Sequence, residues 1–144
     1  MHRLIYKSRS TEIIDKESVR DILYTSQEMN RKSVVTGALL ATNSHFLQIL
    51  EGEFEAVNET FFRIVHDPRH GKVELISFGP IDKRLFDKWT MKAFGLFNLN
   101  EEMESILKEK YGEEEEGVYF PLEELLVLSL VADVSMMNKS PMTS

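Results

Sequence analysis

The 144-residue sequence has no cysteine, so disulfides, thiolate metal sites and cysteine nucleophiles are excluded. It is short of positive charge: 17 lysines and arginines stand against 24 acidic residues, a net charge of −7. Nucleic-acid recognition needs a clustered positive surface, and no basic patch with interleaved aromatics occurs. No nucleic-acid partner is therefore expected. No apolar run approaches the roughly 18 residues of a transmembrane helix. The opening residues run straight into a strand-like segment, Arg3-Leu-Ile-Tyr6, without the charged and apolar regions of a signal peptide. A cytoplasmic protein without membrane contact is the expectation. No G-x-G-x-x-G follows a strand and no Walker A is present. The stretch Asp67-Pro-Arg-His70 lacks a second ligand at metal spacing, and Ser8 and His70 have no third partner for a nucleophilic triad. No internal repeat is found.

What is present suits one folded domain, with 42% hydrophobic residues. Leu4 to Ser8 reads as a strand. Asp15 reads as the N-cap of a helix with Glu17 in its first turn, and Val19, Ile22, Leu23, Ser26 and Asn30 lie at helical spacing on its inner face. Two strands follow, Val34 to Ala41 and Phe46 to Leu50, joined by the polar turn Thr42 to His45. A second helix begins near Glu53, carries Val57, Phe61, Ile64 and Val65 on one side, and stops at Asp67-Pro68. Val73 to Phe78 is a further strand, and a short fifth strand is expected around Trp89 to Phe97.

This β-α-β-β-α-β order predicts an α+β, ferredoxin-like fold with a five-stranded mixed sheet. Two helices would cover the face bearing Leu4, Phe46 and Leu50. Ile5, Leu47 and Ile49 point to the other face, which C-terminal helices over 101–111 and 122–137 would cover. The domain reading is a core over 1–99, a helical extension over 100–139 and a disordered tail over 140–144. The acidic stretch Gly112 to Gly117 reads as a solvated loop.

The informative residues are polar ones on apolar faces. Gln48 lies mid-strand on the face of Phe46 and Leu50, and an unpaired buried amide costs about 1–3 kcal/mol. Its partner is either a loop group or a ligand. Asn30 and Ser26 extend the apolar stripe of the first helix, although Asn30 also suits a C-cap. Ala56, Thr60, Arg63 and Asp67 share a face of the second helix, where an ordinary Arg63–Asp67 ion pair is the default. In this topology the first and third strands are central neighbours, so Tyr6 and Gln48 both point toward the helices. A flat ligand with amide-like edges, standing between the helices, would meet all these groups.

Five blocks make the sequence resemble the BLUF family, sensors of blue light using FAD. They are Leu4-Ile-Tyr6-Lys-Ser8, Asn30 with Thr36-Gly37 downstream, Phe46-Leu-Gln-Ile-Leu-Glu-Gly52, Arg63-Ile-Val-His-Asp67-Pro-Arg-His70 and Phe86-Asp-Lys-Trp-Thr-Met91. The short extension without an output enzyme is similar to stand-alone members. The resemblance implies noncovalent FAD, and the lack of cysteine excludes flavin–cysteine adduct chemistry. It implies that Tyr6 is the redox-active phenol and Gln48 the amide bridging it to the flavin. Asn30 would bond the C4=O/N3 edge and Arg63 approach the C2=O side. Asp67, Arg69 and His70 would lie near the ribityl and phosphate parts. Ile22 and Phe46 would pack on the ring, with Ser26 beside them. Trp89 and Met91 would belong to a strand that changes between dark and light. Met29 departs from the family, in which a polar residue is frequent at that position. The implied output is a protein partner, with a homo-oligomer expected and no enzymatic activity. The alternatives are an acylphosphatase-like hydrolase, disfavoured by the missing anion cradle, and a light-insensitive adaptor.

Overall fold

The computed structural model describes residues 1–137, except the side chains of Lys32 and Ser33. The expected tail over 140–144, with 138–139 of the extension, lies outside the described residues. The sheet contains β1 (His2–Ser10), β2 (Thr36–Ala41), β3 (His45–Gly52), β4 (His70–Pro80) and β5 (Lys92–Gly95), in the order β4-β1-β3-β2-β5. All neighbours are antiparallel except β2 and β5, which are parallel. The sheet is therefore mixed and ferredoxin-like, as the element order predicts.

Alternation along β1 and β3 assigns their side chains to two cores. Leu4, Tyr6, Phe46 and Leu50 pack under α1 (Lys16–Ser33) and α2 (Phe54–Val65), with Val19, Ile22, Leu23 and Val57. Ile5, Leu47 and Ile49 pack on the other face against Leu107 of α3 (Glu101–Tyr111) and Val127, Leu130, Val131 and Val134 of α4 (Glu124–Met137). Burying each of these α4 side chains contributes about 1.5–3 kcal/mol, which holds the extension on the sheet.

Asp15 caps α1 through a reciprocal pair with Ser18, fixing the helix that walls the site. That helix runs further than expected. Val34 adopts a left-handed conformation (φ 56°) and ends it, with Val35 N–H donating to the Asn30 carbonyl at 3.1 Å. Val34 is therefore a helix cap and β2 begins only at Thr36. Gly37 packs so closely on β3 that a Cβ there would lie 1.8 Å from the Ile49 carbonyl oxygen; no other residue fits. On α2, Val65 turns outward and is exposed, while Thr60 is buried in its stead.

Two further expectations need correction. The fifth strand excludes Trp89 and Met91: Trp89 N–H closes a turn onto the Phe86 carbonyl at 3.2 Å, and its own carbonyl accepts Gly37 N–H at 2.9 Å. Regular pairing starts only at Lys92, opposite Ala38. The acidic stretch is no free loop. It forms a small hairpin, β6 (Glu113–Glu114) and β7 (Gly117–Val118), turned by Glu115 and Glu116 at positive φ. Opposite charge from β1 accounts for this. Glu114 lies 3.1 Å from the buried Lys7 ammonium, and Glu115 pairs with Arg9 at 2.6 Å.

Candidate functional site

The β1–β3 register sets Tyr6 directly opposite Gln48. Both are almost fully buried, and the Tyr6 hydroxyl donates to Gln48 Oε1. Burial, reinforced by the negative charge of Asp67, holds the phenol pKa well above its ordinary range, so Tyr6 stays a protonated donor. The Gln48 Nε2 amide lies 3.5 Å from Met91 Sδ, and thioether sulfur is only a weak acceptor. The ring of Tyr6 is tilted against Phe61 at 5.6 Å and meets His70 edge-on at 6.0 Å.

Gln48 forms part of the lining of a cavity of about 200 Å³ between α1 and α2. One wall is Ile22, Thr25, Ser26, Met29 and Asn30 from α1, and the other is Thr60, Arg63 and Ile64 from α2. Asp67, Arg69 and His70 close one end. A second space of about 320 Å³ shares Ile22 and Arg69 and adds Asp21, Phe46 and Pro68. Every candidate except Trp89, Tyr6 and Met91 thus lines one of two adjoining spaces, and Tyr6 and Met91 lie just beneath, in contact with Gln48.

Asn30 carries the sharpest signal. Its Nδ2 donates to the Thr90 carbonyl at 3.2 Å, but its Oδ1 is buried with no partner among the described residues. An orphaned buried acceptor costs about 1–3 kcal/mol, and here it borders the cavity. Asn30 is not the C-cap, a role taken by Val34. Arg63 does not pair with Asp67; its Nη2 donates to Thr60 Oγ1 at 3.3 Å. The Asp67 carboxylate is instead clasped by Arg69, whose Nε lies 3.0 Å from both oxygens. That bond holds the Asp67 carboxyl below its usual range, while the Arg63 guanidinium keeps donors to spare. His70 Nδ1 lies 2.7 Å from Ser8 Oγ. Burial pushes its pKa down to about 4, so the ring is neutral and packs on Phe46 at 5.1 Å.

Trp89 and Met91 part company. Met91 points to Gln48, whereas Trp89 packs on the opposite sheet face beside Phe86 at 5.4 Å and Phe94 at 6.0 Å, with Lys92 Nζ 4.4 Å from its ring centre. Their side chains thus belong to the two different cores. Sequence reasoning missed Gln27, which is buried and donates to the Met91 carbonyl at 3.0 Å. Its position four residues after Leu23 and three before Asn30 placed it on the inner stripe.

An acceptor without a donor, an amide facing a sulfur and a guanidinium with spare donors thus surround one slot. They suit a planar ligand that presents both an N–H and carbonyl groups along its edge. Comparison with known proteins points the same way. The profile of BLUF, "Sensors of blue-light using FAD", matches residues 1–92. The chain is 34% identical over 91 residues to photoactivated adenylate cyclase subunit beta of Euglena gracilis, a match covering 62% of this chain and 11% of that protein. It is 33% identical over 93 residues to the blue light- and temperature-regulated antirepressor BluF of Escherichia coli (strain K12), covering 65% and 23% respectively. The match therefore spans well under two thirds of those relatives' own lengths. Among solved structures, the dark state of the BLUF protein BlrB superposes with a TM-score of 0.71 at 27% identity, covering 93% of this chain and 96% of that one. BlsA in its photo-activated state gives a TM-score of 0.71 at 26% identity, covering 99% and 98%. With the profile spanning well over half of it, the chain belongs to the BLUF family of blue-light sensors.

Proposed function

We propose that this chain senses blue light through a flavin held in the α1–α2 cavity and read by the Tyr6–Gln48 pair. The observation that carries this is the buried Asn30 Oδ1, unpartnered among the described residues, beside a Gln48 Nε2 group that meets a sulfur at 3.5 Å. Asn30 Oδ1 would accept from the flavin N3–H, and Arg63 would donate to the C2=O side. Ile22 and Phe46 would flank the ring system and Ser26 its rim. Asp67, Arg69 and His70 would lie along the ribityl and phosphate parts. The adjoining 320 Å³ space supports FAD over FMN, because it gives room beyond the ring. A bound flavin supplies the chromophore and, once excited by blue light, a strong one-electron acceptor.

The chain's own groups do the rest. Tyr6 is a protonated phenol within hydrogen-bond reach of Gln48, suited to give up an electron and a proton. Gln48 presents different groups after rotation or tautomerisation, so it can relay that proton and return with altered bonds. Its weak contact with Met91 makes the 90–91 segment the nearest element to feel the change. The output would pass to a protein partner, as the antirepressor relative's name suggests of that protein, and we expect a homo-oligomer. We assign no enzymatic activity to this chain. We read residues 1–99 as the flavin-binding unit and 100–139 as its extension, and place the protein in the cytoplasm. The test is to load the full chain with flavin and record absorption before and after blue illumination. A reversible red shift is expected, and a folded chain that takes up no flavin, or a yellow one inert to light, would sink the reading.

A further inference from the structure

Glu51, near the end of β3, is fully buried on the sheet face away from the cavity. Both carboxylate oxygens are committed. Oε1 accepts backbone N–H bonds from Leu85 at 2.9 Å and Phe86 at 2.8 Å, and Oε2 accepts from Arg3 Nε at 2.8 Å. Arg3 reaches on through Nη1 to Glu124 Oε1, in the first turn of α4, at 3.2 Å. From Phe86 the chain runs on to Trp89, Thr90 and Met91. The 85–91 segment is thus clamped twice, by a buried charge at one end and by the neutral amides of Gln27, Asn30 and Gln48 at the other.

We propose that Glu51 is a positioning residue for the light switch: it holds the Leu85–Phe86 end of the segment and, through Arg3, ties that end to Glu124 of α4, so that strain from the Trp89–Met91 end reaches α4. This rests on the light-sensing reading above and extends it to the opposite sheet face. The two clamps differ in strength. Stripping donors from a buried carboxylate leaves an uncompensated charge, whereas amide-to-carbonyl bonds exchange at small net cost. Any rearrangement at Gln48 therefore displaces the 90–91 end first and loads the Glu51 clamp at the 85–86 end. Trp89, wedged against Phe86 and Phe94, passes that load to Phe86 and so to Glu51. Of the bonds that run from Phe86 through Glu51 and Arg3, Arg3–Glu124 is the most exposed, with Glu124 39% open to solvent, and is where coupling would be lost first.

The experiment uses the full flavin-loaded chain, the variants Glu124→Gln, Arg3→Gln and Glu51→Gln, and two readouts. These are the light-induced absorption shift with its dark recovery, and light-minus-dark amide hydrogen exchange along α4. In the wild type, light should change exchange in the first turns of α4. E124Q should keep the red shift and lose that change; R3Q, which also strips a donor from Glu51, should lose it too and alter dark recovery in the manner of E51Q. E51Q should alter dark recovery by about tenfold, the factor expected when one charge-assisted hydrogen bond weakens; if E51Q or R3Q does not fold, E124Q decides. A wild type that red-shifts without any change in α4, or E124Q and R3Q that keep the change, would overturn the proposal. Absence of any red shift in the wild type would instead overturn the light-sensing reading beneath it.

Discussion

Replacing Tyr6 with Phe removes one oxygen and little else. The ring keeps its packing on Phe61 and His70, so no cavity opens. The change leaves Gln48 Oε1 without its donor in a nearly sealed site. An unsatisfied buried acceptor costs about 1–3 kcal/mol, but the variant no longer has to bury a hydroxyl, so the net loss belongs near 1 kcal/mol. For a chain of this size that is a fall in Tm of about 3–4 °C. Flavin content should be unchanged, because Tyr6 lies behind Gln48 and outside the cavity lining. The light response should vanish, since the phenol is the donor and its hydroxyl fixes which end of the Gln48 amide faces where. Absorption spectra before and after blue illumination, with a thermal melt of the same sample, read all three quantities. A Y6F protein with a wild-type red shift and recovery would refute the mechanism. A folded but colourless Y6F would refute the placement of Tyr6 outside the binding surface.

Gln48→Leu should bind flavin yet show no stable red-shifted state, checked by the same spectra. Trp89→Phe should change the rate of dark recovery more than flavin occupancy, because Trp89 packs on the far face; flash photolysis against the flavin-to-protein ratio separates the two. Acid should destabilise the fold through His70. Its folded pKa lies near 4 against 6.5 for the free group, so this contribution is complete above about pH 6.5 and is lost as pH falls toward about 4, amounting to about 2–3 kcal/mol. His45, also depressed by burial, acts in the same direction. Urea midpoints at about pH 7.5 and about pH 4.5 should differ less in His70→Gln than in the wild type, and an equal difference would discount His70.

The frame and the Tyr6–Gln48 pairing were legible because alternation and helical period are written into β1, β3 and α1. The capping of α1 by Asp15 was equally plain. The acidic hairpin was hidden by a rule that usually holds, that runs of like charge are solvated. The corrective signal lay elsewhere: Lys7 shares its strand face with Ile5, so a lysine was being buried on an apolar face and needed both an acceptor and a counter-charge. It finds the Phe120 carbonyl at 3.0 Å, Glu114 at 3.1 Å and the Tyr119 ring at 4.0 Å. Such a partnership across more than a hundred residues is set by tertiary packing and has no local signature.

The boundary before β5 was misplaced for a related reason, and its true position bears on function. Thr90 and Met91 look like strand residues, but side-chain amides from α1, not strand neighbours, satisfy their carbonyls. From Lys92 onward the ladder with β2 takes over. A ladder bond is shared with its neighbours and gives way only when several go together. A bond to a side-chain amide can be exchanged singly, for a net difference of about 1 kcal/mol. Residue 91 therefore sits on the border between exchangeable and fixed backbone, with its sulfur against the amide that the light reaction would turn. A strand beginning at Trp89 would have locked the same residues into the sheet and left the Tyr6–Gln48 pair with nothing free to move.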